Sequence, residues 1–436
     1  MSDENPSMPS AMQHWLAAIS DDLERRKRDH LYRTLLPVSS AQGAELTIGG
    51  KSYAQFCTNN YLGLAADPEV VDAARLALDR WGWGSSAARL VAGSMEAHHQ
   101  LEMELAEFKH AEAALVFTSG YAANMAVLTT FAGPQDLILS DKLNHASLLD
   151  AANASGARCR TFNHRNYQRL KSLLERQRGD VMGILGDDGL LEKEQTHAQL
   201  ERDRHENYDS AGRAWIVSDT VFSMDGDVAD MVELARIAGR HNALLITDEA
   251  HATGVLGPDG RGVAALAGVE NSVAVSVGTL SKAFGSVGGF VTGPRPVIDA
   301  LVNCARQFIY TTALPAACSA AALAALLISR REPRRRQRVM ALAEHVRTEL
   351  TVAGYQTGDS QSPIIPVMLG SAGRAVQASN WLKEQGLYIP AIRPPTVPQK
   401  SARLRISLMA THTDSQIEQL LTAMKKLRDH LPSDDS

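Results

Sequence analysis

The chain has 436 residues, with 44 basic and 49 acidic side chains and a formal net charge of −5. Hydrophobic residues make up 44% and charged residues 21%, values that exclude a disordered, collagen-like or low-complexity chain. The slight acidic excess argues against a nucleic-acid binder, which would carry a basic excess or a basic stripe.

The four cysteines, Cys57, Cys159, Cys304 and Cys318, lie far apart and form no CxxC pair. This spacing predicts a reducing compartment and argues against a disulfide framework or a zinc site. No run of about 20 apolar residues is present, and residues 1–10 lack the pattern of a secretory signal. We therefore expect a soluble, cytoplasmic protein with no membrane span and no metal.

The first predicted helix spans residues 12–32, and residues 47–53 are predicted to form a hairpin with a Gly-Gly turn. From residue 68 onward, helical patterns alternate with short apolar, β-rich runs. The runs are 115–117, 137–139, 215–217, 244–246 and 273–277. Because they show no polar alternation, they predict strands buried on both faces of a mostly parallel α/β sheet of the seven-stranded type.

The pattern changes at residues 311–315, where an Ala/Leu-rich helix begins, followed by an Arg-rich stretch and a smaller α+β region that ends in a helix at 414–430. We predict an N-terminal helix and hairpin segment (1–60), a large α/β domain (61–300) and a small C-terminal α+β domain (301–436). Residues 187–206 look like an insertion within a surface excursion with helical propensity.

Ligands of open α/β sheets bind at the carboxyl ends of the strands, so the polar residues that follow each run are the candidates for chemistry. Asp248 and His251 follow the run at 244–246; alone, a capping aspartate and a loop histidine would explain them. Lys282 follows the run at 273–277 among small residues, which makes it a candidate for covalent bonding to a carbonyl. Alone, a surface lysine at a helix start is equally plausible.

Two further strand ends and one glycine string complete this set. Ser119-Gly120-Tyr121 enters a helix, whose free N–H groups suit a phosphate, although Ser-Gly is also an ordinary helix entry. His145 follows the run at 137–139 and could face a ring in the same crevice. The GxGxxA string at 82–87 follows a helical pattern, so we reject a Rossmann dinucleotide site.

Taken together, these strand ends predict pyridoxal 5′-phosphate (PLP) as cofactor. Lys282 would bond to its aldehyde, and Asp248 would stay ionised against the protonated pyridine nitrogen. His145 would stack on the ring, while Ser223 and His251 would hydrogen-bond the phenolic oxygen. We assign catalytic roles to Lys282, His145 and Asp248.

The phosphate of the cofactor is predicted to lie at the helix entry. The backbone N–H groups of Gly120 and Tyr121 and the hydroxyl of Thr279 would hold it. Asp248 and Lys282 are 34 residues apart with a strand between them, which makes the combination far more specific than either motif alone.

Six ordered strings resemble the α-oxoamine synthases, a family of fold-type I PLP enzymes, over residues 23–431. They are 58–64, 119–124, 144–147, 221–227, 248–254 and 279–282. The resemblance implies a PLP-dependent acyltransferase that condenses an amino acid with an acyl thioester and releases CO2.

Within the family, the string Ile-Arg-Pro-Pro-Thr-Val-Pro at 392–398 resembles the members of biotin biosynthesis. It implies L-alanine and a pimeloyl thioester, carried by CoA or acyl carrier protein, as substrates. A sister activity, such as glycine C-acetyltransferase or a serine palmitoyltransferase-like enzyme, is the alternative. Residues 85–90 replace a glycine-rich form found in some members, which leaves the amino-acid and acyl preference open.

The resemblance also assigns substrate contacts. Arg405 would hold the amino-acid carboxylate with Asn59 nearby, as suits a bidentate guanidinium. Arg33, near the end of the first helix, would contact the acyl substrate, and Thr396 is a further substrate contact. Thr311 would reach the phosphate of the neighbouring subunit, because the family forms homodimers with shared active sites. A non-catalytic homologue would lack Lys282, which is present here.

Overall fold

The computed structural model describes residues 8–183 and 212–431, so the predicted insertion at 187–206 lies outside the described residues. A seven-stranded sheet forms the centre of the molecule, with the strand order β3-β9-β8-β7-β6-β4-β5. Its strands are β3 (Ala113–Phe117), β4 (Leu137–Asp141), β5 (Arg158–Phe162), β6 (Ala214–Asp219), β7 (Leu244–Asp248), β8 (Val275–Thr279) and β9 (Gly289–Gly293). Only β9 runs antiparallel to its neighbours in this sheet, which confirms the predicted mostly parallel α/β fold.

Apart from β5 at the margin, the strands of this sheet are buried on both faces. Leu139 of β4 and Ile216 of β6 pack into one hydrophobic cluster, and Ile138 and Val217 pack into another on the opposite face. Successive side chains of a strand point to opposite faces, so an uninterrupted apolar run fills two cores at once. This is why the five predicted runs coincide with strands.

Helices connect and cover the strands of the central sheet. They are α2 (Pro68–Trp81), α3 (Glu96–Phe108), α4 (Gly120–Phe131), α5 (Ala146–Ala154), α6 (Tyr167–Gly183), α7 (Met231–His241), α8 (Val263–Leu266), α9 (Arg295–Cys304) and α10 (Arg306–Ile309), and the chain begins with α1 (Ser10–Arg28). The GxGxxA string follows α2, so it lacks the strand that a dinucleotide site needs.

The N-terminal hairpin is present as predicted. Strands β1 (Glu45–Ile48) and β2 (Lys51–Gln55) are antiparallel, and Gly49 and Gly50 turn between them with φ of +57° and +76°. Positive φ at both central residues is the requirement of a type I′ turn, which favours glycine there. Strand β2 also pairs with β11 (Leu387–Tyr388), more than three hundred residues later in the chain.

The C-terminal part is α+β, as predicted. Strands β10 (Ile364–Gly370), β12 (Ala391–Ile392) and β13 (Ala402–Ser407) form an antiparallel sheet, with β13 in the middle. The helices of this part are α11 (Ala316–Arg331), α12 (Pro333–Val352), α13 (Ala372–Glu384) and α14 (Asp414–His430). The domain boundaries at 60 and 300 stay a prediction. Across the described ranges, no helix is long and apolar enough to cross a membrane.

Candidate active site

The carboxyl edge of the central sheet gathers the predicted residues. Asp248 and Thr279 are the last residues of β7 and β8, and Asp219 is the last residue of β6. Gly120 opens α4 directly after β3, and His145 caps α5 after β4. Parallel strands end at the same edge, so these residues come together although 159 positions separate the first from the last.

Asp248 is a buried carboxylate, 5% exposed, with neutral hydrogen-bond donors. Its Oδ2 accepts from Nδ2 of Asn124 at 2.7 Å, and its Oδ1 accepts from the N–H of Ala250 at 2.8 Å. No Lys, Arg or His of the described residues forms an ion pair with it. A buried anion needs a counter-charge, so this arrangement fits the protonated pyridine nitrogen of PLP.

Lys282 lies in the turn that follows β8 and not at the start of a helix. Its side chain is partly buried. Burial of its ammonium lowers the pKa of Lys282 to about 8, although Asp248 and Asp219 act in the opposite direction. The described residues offer no hydrogen-bond acceptor to its Nζ. A neutral amine is the form that attacks an aldehyde or removes a proton. The lowered pKa increases the neutral fraction of Lys282 and therefore suits it to both reactions.

At the predicted phosphate site, the backbone of β9 lies very close to the start of α4. A Cβ on Gly120 would lie 3.6 Å from Cβ of Thr279, and a Cβ on Gly289 would lie only 2.5 Å from the N atom of Gly120. Glycine at 289 therefore lets β9 run against the start of α4, whose first N–H groups have no intrahelical acceptor. Tyr121 is exposed, and its hydroxyl donates to Asp150 at 2.6 Å.

His145 is held at the edge by its own loop and by Asp219. Its ring Nδ1 accepts from the backbone N–H of Ser147 at 3.2 Å, and its backbone N–H donates to Oδ2 of Asp219 at 2.6 Å. Burial lowers the pKa of His145, so the ring is neutral and suited to stacking. Burial and the neighbouring Asp248 carboxylate raise the pKa of Asp219 well above its ordinary value.

A second group of side chains faces this edge from the N-terminal and C-terminal parts of the chain. Arg405 on β13 donates to the Asn59 side chain at 3.1 Å and to the Ser407 hydroxyl at 2.9 Å, and its Nε donates to the carbonyl of Ser223. It is 7% exposed and has no carboxylate partner among the described residues. This buried guanidinium has the charge and geometry to bind a substrate carboxylate.

His251 completes this group. Its Nδ1 lies 2.7 Å from the hydroxyl of Tyr61, which is fully buried. Burial and the nearby cations Lys282 and Arg405 hold the pKa of His251 well below its ordinary value, so the imidazole is neutral.

Three predicted residues lie apart from this cluster in the contacts that the structure gives. Arg33 is exposed and donates to the carbonyl of Pro394 at 3.2 Å, which brings it to the loop that carries the exposed Thr396. The first helix was predicted to span residues 12–32, but it ends at Arg28 and the chain turns at His30 with φ of +56°, so Arg33 lies beyond the helix and not at its end. Thr311 and Thr118 line the same small cavity.

The sequence reasoning missed three residues of the site, Asn124, Tyr61 and Asp219. Asn124 and Tyr61 lie within the strings 119–124 and 58–64, but nothing in those strings shows which polar atom a distant strand end will meet. Asp219 ends a strand next to Asp248, with which it is paired in register. The rule of examining every strand end would have found it.

Near the site, His164 joins two buried acids. Its Nε2 lies 2.7 Å from Oδ2 of Asp227, and its Nδ1 lies 3.1 Å from both oxygens of Asp141. Burial alone would lower the pKa of His164, but the hydrogen bonds to Asp141 and Asp227 outweigh it and raise the pKa to about 9. The imidazolium thereby ties β4 to the loop that carries Ser223.

We expect this raised pKa to make stability depend on pH. The folded pKa is about 9 and the ordinary value is 6.5, so the stabilisation is complete below pH 6.5 and is lost as the pH rises through 9. The difference in the free energy of unfolding between wild type and His164→Gln should shrink over this range by about 3 kcal/mol. Urea unfolding at several pH values measures it. His99→Gln, at an exposed histidine, is the control, and a pH-independent difference would contradict the assignment.

Comparison with known proteins places this chain in a family. The family model of the aminotransferases of class I and II matches residues 51–424, and the chain belongs to this family. The 8-amino-7-oxononanoate synthase of Hahella chejuensis is 40% identical to the chain over 96% of its length and 97% of that protein. The enzyme of the same name from Anaeromyxobacter dehalogenans is 42% identical over 96% of both chains.

Solved structures agree on the fold. A serine palmitoyltransferase variant from S. paucimobilis, solved with a bound PLP–myriocin adduct, superposes with a TM-score of 0.83 at 28% identity, covering 96% of this chain and 98% of that one. The 8-amino-7-oxononanoate synthase of Francisella tularensis gives a TM-score of 0.70 at 28% identity over 87% of this chain and 98% of that one. The expected resemblance to α-oxoamine synthases is confirmed.

Proposed function

We propose that the protein binds PLP and condenses L-alanine with a pimeloyl thioester to give 8-amino-7-oxononanoate, CO2 and the free thiol of CoA or acyl carrier protein. A carbon–carbon bond forms between Cα of alanine and the thioester carbonyl, the carbon–sulfur bond breaks, and the alanine carboxylate leaves as CO2. Relatives of this name at 40–42% identity over nearly the whole chain support the substrates.

One observation carries the cofactor part of the proposal. Asp248, a buried carboxylate that forms no ion pair with the described residues, lies at the same sheet edge as a lysine of lowered pKa, Lys282, and a glycine helix entry, Gly120. These three groups match a protonated ring nitrogen, an aldehyde and a phosphate. PLP, when bound, supplies an electron sink for the negative charge that develops on the amino-acid Cα.

The side chains of the chain perform the remaining tasks. Lys282, with a pKa of about 8, is neutral in about one tenth of the molecules at pH 7, and in this form it can accept the Cα proton of alanine. Asp248 keeps the ring nitrogen protonated, and neutral His145 covers the ring face. Thr279 and the N–H groups of Gly120 and Tyr121 hold the phosphate at the start of α4.

Arg405 is proposed to orient alanine through its carboxylate, so Arg405→Lys should weaken alanine binding and spare the cofactor. A lysine keeps the charge but loses the planar fork, and each charge-assisted hydrogen bond is worth about 1.5–3 kcal/mol, or roughly 10- to 150-fold in affinity. Alanine titration followed by PLP absorbance measures the loss. Arg403→Lys is the matched control, because Arg403 already pairs with Asp225. Equal alanine affinity in wild type and Arg405→Lys would refute the role.

The acyl group is proposed to extend toward Arg33 and Thr396, because Arg33 donates to the carbonyl of Pro394 in the loop that carries Thr396. The fold does not choose between alanine and its alternatives, since the serine palmitoyltransferase structure superposes closely. Product analysis by mass spectrometry after adding L-alanine and pimeloyl-CoA tests the proposal. Glycine with acetyl-CoA and serine with palmitoyl-CoA serve as competing pairs, and faster turnover of either pair would replace the proposed reaction by the sister activity.

The proposal includes a homodimer in the cytoplasm. Large apolar side chains are exposed around the segment that precedes α3 and around Thr311, among them Val91 (82%), Trp83 (71%) and Tyr310 (71%). Clustered exposed apolar side chains are typical of an interface. A second copy of the chain is the proposed partner, and the cysteine pattern supports the reducing compartment.

A shared active site predicts that two inactive parents complement each other. Lys282→Ala removes the amine, and Thr311→Asp sets a carboxylate against the phosphate and repels it. If Thr311 reaches across the interface, refolding the two parents together yields mixed dimers with one intact site and about one quarter of wild-type activity. Activity assays on the refolded mixture test this. If both residues serve the same site from one chain, every site carries a defect and no activity returns.

A further inference from the structure

Tyr61 contacts both His251, a predicted cofactor residue, and Arg405, the predicted binder of the amino-acid carboxylate. Tyr61 itself has no role in the proposed function. Its side chain is fully buried, and its hydroxyl lies 2.7 Å from Nδ1 of His251, 3.2 Å from Oδ1 of Asn59 and 3.5 Å from Nη2 of Arg405. Its ring lies 6.1 Å from the His251 ring, tilted by 55°. A hydroxyl has one proton, so these three contacts cannot all receive it.

The chemistry of the neighbours decides where that proton goes. The guanidinium of Arg405 only donates, so Tyr61 accepts from it. Oδ1 of Asn59 lies 3.2 Å from the hydroxyl and already accepts from Arg405 at 3.1 Å, whereas Nδ1 of His251, at 2.7 Å, is the nearer of the two possible acceptors. Burial raises the pKa of Tyr61, so the phenol keeps its proton, and the shorter distance favours Nδ1 of His251 as its acceptor.

Donation to Nδ1 fixes the form of the histidine. A neutral imidazole carries a single N–H, so an accepting Nδ1 places the proton on Nε2. In the described part of the chain, His251 has no other hydrogen bond, and its Nε2–H is therefore free to donate to a ligand. An anionic oxygen on the cofactor ring is the acceptor that such a donor stabilises.

We propose that Tyr61 is a positioning residue, which locks His251 with its proton on Nε2 so that this donor faces the phenolic oxygen of PLP. The inference rests on the proposed function for the identity of the acceptor. We do not propose that Tyr61 orients Arg405 toward the substrate carboxylate. The Tyr61–Arg405 contact is long, and the hydrogen bonds of Arg405 to Asn59 and Ser407 do not depend on Tyr61.

The absorbance of bound PLP reports on this donor. In Tyr61→Phe, His251 loses its anchor and the anionic ring oxygen loses a hydrogen bond, so the protonated chromophore should persist to higher pH. We expect the pKa of the absorbance change to rise by about one, which is a tenfold change in proton affinity. His251→Gln should give the same rise, and the double variant should match His251→Gln alone, because Tyr61 acts only through His251. Alanine affinity should change less than about threefold.

Tyr355→Phe is the matched control, since its hydroxyl donates to the carbonyl of Met424 at 2.7 Å in the C-terminal part of the chain. It should leave the chromophore pKa unchanged. An unchanged pKa in Tyr61→Phe, or additive shifts in the double variant, would overturn the proposal.

A measurement on the wild-type apoprotein tests the proposal without PLP and without any variant of Tyr61. With ¹⁵N-labelled histidine, His251 should show an unprotonated, hydrogen-bonded Nδ1 and a protonated Nε2, and His251→Gln assigns the signals. A proton on Nδ1 would overturn the proposal even if Tyr61→Phe failed to fold. If PLP gave no chromophore at all, the proposed function would fail, while the apoprotein spectrum would still decide the tautomer.

Discussion

Lys282→Ala is expected to abolish turnover while leaving the fold and the predicted phosphate site at Gly120 and Thr279 unchanged. The lysine supplies both the amine for the cofactor aldehyde and the base for the Cα proton, and its lowered pKa of about 8 suits both. Alanine removes an ammonium that has no hydrogen-bond partner in the described residues, so the loss of stability should be small. Steady-state product formation measures the effect.

A control separates this role from a general effect of charge. Lys426→Ala, at an exposed lysine of α14, should retain wild-type turnover. Borohydride reduction of wild-type holoenzyme followed by peptide mapping should locate the cofactor on Lys282. Near-normal turnover in Lys282→Ala, or a label on another lysine, would contradict the assignment.

Asp248→Asn is expected to lower the rate by several orders of magnitude. A neutral amide cannot hold the ring nitrogen protonated, so the charge that develops on Cα is no longer stabilised. Losing one partner of a buried charge pair costs about 3–5 kcal/mol, which corresponds to roughly 10²- to 10⁴-fold in rate. The measurement is kcat with saturating PLP, with bound PLP quantified by absorbance.

Asp136→Asn provides a matched control for burial. Asp136 is 2% exposed and pairs with Arg213 at 3.1 Å, but it precedes β4 at the opposite edge of the sheet. Its loss should reduce stability and leave kcat of the folded enzyme nearly unchanged. A rate loss below tenfold in Asp248→Asn, with PLP still bound, would show that Asp248 is only structural.

The sequence predicted the central sheet well because burial on both faces demands uninterrupted apolar runs. It did not predict β5, whose residues are mostly exposed and polar at the sheet margin, or β9, which begins and ends with a glycine. Gly289 is in fact a strand residue, selected by the close approach of β9 to Gly120. A local pattern cannot show such a requirement, because it arises from a segment far away in the chain.

The candidate site follows the same logic. Asp248, Thr279 and His145 were predicted from their positions at strand ends, and the structure brings them to one edge. Arg405 could be placed there only by resemblance, since a buried strand with two arginines gives no sign of what it faces. Asn124 and Tyr61 act through single hydrogen bonds to residues 124 and 190 positions away, which no spacing rule predicts.

The contact between Asn59 and Arg405 sets an order in which the enzyme is completed during translation. Asn59 and Arg405 are 346 positions apart, a distance that a ribosome covers in roughly 20–70 s. Lys282, Asp248 and the start of α4 all leave the ribosome long before Arg405 does. The nascent chain therefore contains the residues proposed to bind the cofactor first. The site proposed for the amino-acid carboxylate is complete only after β13, which carries Arg405, has been synthesised.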